Sequence, residues 1–392
     1  MDFFTQRVKI FVKKEAVLCI ALVLAGISAL FVPPDMAYIE YIDFRTLAIL
    51  FCLMSVMAGL KKAGVFAWVA QGLLKKVRSS RSLIIILMLL CFFFSMLITN
   101  DVALITFVPF TFIVLALLGE QQKRRLVLPV VAMQTVAANL GSMMTPIGNP
   151  QNLYLYGKAG ISIGSFLALM FPYTVFSLVL LVAWAFWQGG KDTLYINEVS
   201  LGAQAESQIK PKAVLLSILI YLSLFVICLL SVGHILPWQM VFAIVLVVVF
   251  MMDRQVLTQV DYALLFTFIG FFIFIGNVGR IPVFRDFLQE MLTSKEVYTS
   301  VIASQVISNV PAALLLSGFT ENYTGLIVGT NLGGLGTLIA SMASLISYKY
   351  IAKEEEGRKG EYLKLFTVSN LCFLAALMLL HIILYYCAAL FT

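Results

Sequence analysis

Two short stretches place polar side chains where everything around them is apolar: Thr99-Asn100-Asp101 and Ser308-Asn309-Val310. An asparagine offers a carbonyl oxygen and an amide N–H group, so one side chain can face a cation and an anion together. Asp101 adds a carboxylate, the only formal charge deep inside an apolar run. A carboxylate there is costly and marks a functional position by default: it can bind a cation, carry a proton or repel a second negative charge on a substrate. The plainer alternative is that Asn100, Asp101 and Asn309 only cap helix arms.

A third polar stretch runs from Asn139 to Asn152 and holds Gly141, Ser142, Thr145, Pro146, Gly148, Asn149 and Pro150 without a charge. Glycine and proline break a helix, and the freed polar groups then need partners if no water is present. Kinking for helix packing is the alternative. A related stretch, Asn331–Ser344, has no proline, so Gly333, Gly334 and Gly336 must supply its break.

The elements that carry these residues follow from composition. Of 392 residues, 61% are hydrophobic and 12% charged, about half the roughly 25% usual in soluble proteins. Too few charges remain to cover a soluble surface, so lipid is the solvent for most of the chain. With about 20 apolar residues per crossing, the length allows roughly ten spans with short loops. No G-x-x-x-x-G-K-[ST] loop occurs, which argues against a nucleotide-driven pump. The net charge of +7 lacks a long basic segment, so it belongs to loops and no nucleic acid partner is expected. The six cysteines lie inside apolar runs without a C-x-x-C pair, and His234 and His381 stand alone. No transition metal, cofactor or enzymatic acid–base pair is expected.

Uncharged runs at Ala16–Pro34, Thr46–Leu60, Ser82–Asn100 with Val102–Gly119, Leu126–Gly157, Ala159–Gly190, Ala213–Met252, Tyr262–Gly279, Val297–Thr320, Asn322–Tyr348 and Leu365–Thr392 supply the spans. Val32-Pro33-Pro34-Asp35 offers no small-x-small cleavage site, so the first run reads as a retained helix. Ala213–Met252 is long enough for two helices with a turn at Ser231–Pro237. With a cytoplasmic N-terminus, 22 of the 27 lysines and arginines fall on the cytoplasmic side, as the positive-inside rule requires. Arg45, Lys158, Arg280, Arg285 and Lys295 fall outside, as does the C-terminus. Ser82–Gly119 and Val297–Thr320 must then enter and leave on one side, as re-entrant hairpins with tips at 99–101 and 308–310. Gly64–Arg78, with Val65, Trp68, Val69, Leu73 and Leu74 on one face, reads as an interfacial helix.

The halves repeat. Asp43-Phe44 recurs as Asp261-Tyr262, the [Thr/Ser]-Asn tip recurs, and Asn139-Leu140-Gly141 with Thr145 recurs as Asn331-Leu332-Gly333 with Thr337. Asp43 lies outside and Asp261 inside, so the topology is inverted, a mark of many secondary transporters. The expected fold is an all-α polytopic membrane protein. Its first inverted repeat covers 1–192 (broken helix 126–157), a cytoplasmic linker 193–212, and the second repeat 213–392 (broken helix 322–348).

With Ile98-Thr99-Asn100-Asp101-Val102-Ala103, Thr145-Pro146-Ile147-Gly148-Asn149-Pro150-Gln151-Asn152 and Ser308-Asn309-Val310-Pro311, the chain resembles the ion transporter superfamily from about residue 14 to 390. That group includes citrate- and dicarboxylate-type sodium symporters, arsenite permeases and certain sodium/proton antiporters. In the carboxylate symporters each tip reads Ser-Asn-Thr; here Asp101 and Val310 replace the third residue. The first half also has fewer helices before its hairpin than those symporters have.

The resemblance implies substrate contacts at Asn100, Asp101, Thr145, Pro146, Asn149, Asn152, Ser308, Asn309 and Thr337. It implies ion contacts at Ser95, Thr99, Asn100, Asp101, Asn139, Gly141, Ser304, Asn309, Asn331 and Gly333, with sodium at Ser95, Asn100, Ser304 and Asn309. It further implies a homodimer with a moving unit of hairpins and broken helices. The expected function is secondary transport of a small anion, a carboxylate or inorganic oxyanion, across the cytoplasmic membrane of a prokaryote, with sodium or a proton as coupling ion. Sodium/proton antiport through Asp101, arsenite efflux, and a channel or sensor on the same scaffold stay open as alternatives.

Overall fold

The computed structural model describes residues 15–74, 77, 79–188 and 211–391. Lys75, Lys76, Arg78, the basic residues of 7–14 and most of the 193–212 linker lie outside the described residues. Among the described residues the chain is helical, without a β-strand. Six helices are long and apolar enough to cross a bilayer, and four shorter apolar ones accompany them. The chain is a polytopic membrane protein.

The helices are α1 (Ala16–Phe31), α2 (Ala37–Tyr41), α3 (Phe44–Lys62), α4 (Val65–Leu74), α5 (Ser80–Ile98), α6 (Asn100–Ala116), α7 (Glu120–Ser142), α8 (Pro150–Ala159), α9 (Ile163–Gln188) and α10 (Pro211–Val232). They continue with α11 (Trp238–Met252), α12 (Arg254–Leu257), α13 (Tyr262–Gly279), α14 (Pro282–Leu292), α15 (Glu296–Ile307), α16 (Asn309–Leu316), α17 (Tyr323–Leu332), α18 (Met342–Glu354) and α19 (Lys359–Phe391). The turn between α10 and α11 falls within Ser231–Pro237.

At the centre stands α7, buried at every position from Leu126 to Ser142 and packed by α5, α6, α18 and α19. In the second half, α17 packs against α15, α16 and α8. Around this centre, α1 packs on α13 while α10 and α11 pack on α3. The repeated Asp-aromatic pair starts α3 and α13 in the same way. Asp43 Oδ1 accepts from Thr46 N at 3.0 Å, and Asp261 Oδ1 from Leu264 N at 2.9 Å. Both are side-chain N-caps that satisfy a donor the helix cannot.

Ion pairs tie the elements at two ends. At one end Lys62 meets Asp253, Lys123 meets Glu355 at 3.8 Å, and Arg358 donates to the Arg124 carbonyl at 2.7 Å. At the other, Arg280 pairs with Asp35 at 2.7 Å, and Arg45 donates to the Ser231 and Val232 carbonyls, 3.3 Å each, at the end of α10. A cation there complements the negative pole of the helix.

Four sequence expectations change. The buried face of α4 is Phe66, Ala70 and Leu74, because Phe66 packs edge-on against Phe94 of α5 at 5.7 Å; Trp68 turns outward, 73% exposed. The first broken helix begins at Glu120 rather than 126, since Glu120 suits a helix N-terminus and Lys123 has a partner across the fold. The second runs on to Glu354. Cys372 and Cys387 are exposed, unlike buried Cys52, Cys91 and Cys228.

The helices part at single residues: Thr99 (φ 70°, ψ 150°) between α5 and α6, and Ser308 (φ 74°, ψ 154°) between α15 and α16. That region is nearly exclusive to glycine, and a residue with a Cβ costs about 1–3 kcal/mol there. Thr99→Gly should therefore raise the melting temperature in detergent, since relief of strain exceeds the roughly 0.5–1 kcal/mol by which glycine favours the unfolded chain. A lowered midpoint would show that the threonine side chain holds the tip in place.

Candidate functional site

Both break points dock on a second break. The Asn100 N–H donates to the Gly148 carbonyl at 3.2 Å, and the Asn309 N–H to the Ala340 carbonyl at 2.9 Å. Around the first tip, Asn100 Nδ2 donates to Asn139 Oδ1 at 2.9 Å, while Asn100 Oδ1 accepts the Asp101 N–H at 2.9 Å. Thr145 Oγ1 donates to the Met96 carbonyl. Around the second tip, Ser308 Oγ approaches the Ala340 carbonyl at 3.4 Å.

Gln305 clamps the second break. Its Nε2 donates to the Gly333 and Leu335 carbonyls at 3.0 and 2.9 Å, and its Oε1 accepts the Thr337 N–H at 2.9 Å. Thr337 Oγ1 returns a bond to the Gln305 carbonyl at 3.1 Å. Sequence reading passed over Gln305. Its signal was position: one helical turn before Asn309, inside an apolar run.

The two breaks also interlock. Asn139 Nδ2 reaches the Gly334 carbonyl at 3.4 Å, and Ser341 Oγ, also unread in the sequence, donates to Asn139 Oδ1 at 3.0 Å. In the opposite sense Asn331 Nδ2 donates to Asn152 Oδ1 at 2.6 Å. Asn152 Nδ2 in turn holds the Ser142 and Thr145 carbonyls at 3.3 and 3.2 Å, and Asn149 Nδ2 holds Ser142 Oγ at 2.6 Å. Pro146 is buried within the break and adds no polar group.

Glycine permits this closeness. A Cβ on Gly141 would stand 1.9 Å from the Phe92 carbonyl and 2.6 Å from Ser95 Oγ, and one on Gly333 2.6 Å from Ser304 Oγ. Ser95 with Gly141 and Ser304 with Gly333 are thus in contact at matching places in the two halves. Each serine also donates to its own helix, to Phe92 O at 2.9 Å and Ser300 O at 2.7 Å, leaving its oxygen free to accept.

The halves are not equivalent in hydrogen bonding. Asn139 Oδ1 accepts two bonds, whereas its counterpart Asn331 Oδ1 is buried without a partner. Asp101 Oδ1 is likewise buried and unpartnered. Asp101 lines a cavity of about 290 Å³ together with Leu53, Met57, Lys61, Thr99 and Asp261. That cavity follows α3 from Leu50 to Lys61, about 16 Å at the helical rise, and so runs from the tip to the end of the bundle where Lys62 meets Asp253.

Removing Asn139 strips partners from Asn100 Nδ2 and Ser341 Oγ inside the protein, at about 1–3 kcal/mol for each group left unsatisfied. Asn331→Ala strands fewer groups, since Asn331 bonds only Asn152 and its own Ile327 carbonyl. Asn139→Ala should lower thermal stability by several degrees more than Asn331→Ala, as read by intrinsic fluorescence in micelles. Equal losses would contradict the inequivalence.

Known proteins resemble this sequence. The family model described as citrate transporter matches residues 5–322. An uncharacterized transporter of Methanocaldococcus jannaschii is 30% identical over 314 residues, covering 80% of this chain and 83% of that protein. The inner membrane protein YbiR of Escherichia coli is 31% identical over 337 residues, 84% and 86% of the two chains. A shorter match, 32% over 179 residues, covers 44% of this chain and 35% of the silicon efflux transporter LSI3 of Oryza sativa. Its interlocked helix breaks thus sit in a chain with transporters for relatives, and the chain belongs to the citrate transporter family of membrane transporters.

Proposed function

We propose that this protein is a secondary active transporter that moves a small anion, a carboxylate or inorganic oxyanion, in exchange for the free energy of a sodium or proton gradient. The observation that carries this reading is the pair of asparagine tips, each bonded through its backbone N–H to a helix break that in turn bonds the other half. Helix N-termini at Asn100 and Asn309 favour an anion, and free carbonyls at the breaks favour a cation. Ser304, Asn309 and the unpartnered Asn331 Oδ1 supply oxygens suited to sodium in the second half; Ser95, Asn100 and Asn139 form the matching group in the first. The family description names citrate, which supports a carboxylate; one relative is named for silicon, which supports a small oxygen-rich solute.

In this reading α5–α6 and α15–α16 are re-entrant hairpins of two inverted repeats. The basic end at Lys62, Arg124 and Arg254 is cytoplasmic, as is the N-terminus, and the C-terminus is external. The relative named as an inner membrane protein supports the same membrane here. The hairpins with α7–α8 and α17–α18 move as a unit against α1, α3, α10, α11 and α13 in a homodimer, carrying the site across the bilayer like an elevator.

Purified protein in sealed vesicles should accumulate labelled citrate or silicate under an inward sodium or proton gradient, and Asn100→Ala or Asn309→Ala should reduce the rate at least about tenfold, the cost of roughly one hydrogen bond to a charged group. Uptake unaffected by both substitutions would sink the site. The unpartnered oxygen of Asp101 favours a second reading, sodium/proton antiport. Sodium-driven proton efflux from acid-loaded vesicles without any added anion would select it. In the symport reading Asp101→Asn keeps size and hydrogen bonding but removes the titratable charge, so gradient-driven accumulation should fail while downhill exchange of substrate survives; in the antiport reading sodium/proton exchange should fail as well.

A further inference from the structure

We propose that Asp261 is the fixed half of a proton-operated latch whose moving half is Asp101. The inference rests on the moving-unit reading above and extends it to a residue that has so far served only as a helix cap.

Asp101 sits one residue past the Thr99–Asn100 tip, on the unit proposed to move; Asp261 begins α13, on the framework. Both line one cavity of about 290 Å³. Asp261 has a partner there, the Leu264 N–H, whereas Asp101 Oδ1 is buried with none. Among the described residues, the only other charged group in the lining is Lys61. Charged groups on helices packed against α6 lie outside it: Arg81 on α5, Glu120, Lys123, Arg124 and Arg125 on α7, and Lys349, Lys353 and Glu354 on α18. Lys61 and Asp261 are exposed, whereas the Asp101 Oδ1 is buried among lining residues such as Leu53, Met57 and Ile105, so the described lining holds two carboxylates and one ammonium. A buried carboxylate that shares a cavity with a second negative charge does not ionise without cost.

A proton taken by Asp101 from cytoplasmic water removes that cost and lets the tip rest against the framework as it does here. Loss of the proton to the cytoplasm restores the repulsion and drives the tip away. The second half has no such device. The counterpart of Asp101 is Val310, so the counterpart of Asp261, Asp43, faces no mobile carboxylate at the corresponding position. Deprotonation therefore disfavours only the arrangement in which the first tip lies beside α13. A latch on one side alone gives the moving unit a direction set by proton concentration.

Spin labels at Thr258→Cys and Glu354→Cys, both exposed, report displacement between framework and moving unit in sodium-free lipid nanodiscs. Cys19, Cys372 and Cys387 are replaced by serine in this background. Raising the pH from 5 to 9 should deplete the distance seen in this structure by about tenfold, the size of one unit of coupling between two titrating groups. Asp261→Asn should abolish the response while keeping the cap on α13, because asparagine caps as well as aspartate; Asp261→Ser serves as a second cap-preserving variant. Asp101→Asn should hold the low-pH distribution at both pH values, and Asp43→Asn should respond like the parent protein. A full pH response in both Asp261 variants would overturn the latch and leave the transporter reading intact. One distance at every pH and in every variant would overturn the latch and the moving unit together.

Discussion

A helix interrupted inside a bilayer leaves backbone groups that water is not there to satisfy, and the arrangement of this protein follows from how those groups are paired. The N–H groups at the two tips find carbonyls in two other helix breaks, Gly148 and Ala340. Each tip thus has its backbone donor satisfied by a break, and each break has a carbonyl satisfied by a tip. That mutual dependence requires α7 to be buried along almost its whole length, and it requires glycine at 141 and 333, where any side chain would strike a neighbouring backbone or serine.

Cross-bonding extends the dependence over both halves. Asn139 of the first break holds Gly334 and Ser341 of the second, while Asn331 of the second holds Asn152 of the first. Disturbing either break therefore disturbs both tips. A displacement at any one of them is transmitted to four chain segments at once. The residual asymmetry, with Asn139 Oδ1 accepting two bonds and Asn331 Oδ1 none, gives the two halves different chemistry despite matching backbone angles at the two tips.

Outside the centre the fold is plainer. Framework helices start at matched aspartate caps, and ion pairs at each end of the bundle join elements distant in sequence, Lys62 to Asp253 and Asp35 to Arg280. Exposed pairs of this kind contribute little energy, so they fix position at the bundle ends while packing of apolar helices supplies stability. Asp261 belongs to both worlds, a cap for α13 and a wall of the cavity that reaches the first tip.

Sequence alone determined the solvent, because 61% hydrophobic and 12% charged residues leave no soluble alternative. It also marked where helices would be interrupted, since glycine, proline and asparagine in apolar runs break helices for local reasons. The roles of Asp43 and Asp261 as helix starts were equally local and equally legible. Only the tertiary structure decided which polar group pairs with which. Gln305 and Ser341 looked unremarkable because their partners lie about 30 and 200 residues away, and no local pattern encodes a contact at that distance. The buried face of α4 went to Phe66 rather than Val65 for the same reason: the ring of Phe94 in the next helix was there to receive it. Whether an asparagine oxygen ends up shared twice or left alone depends on neighbours brought in from the opposite half, and that is why Asn139 and Asn331, alike in sequence, differ in the folded protein.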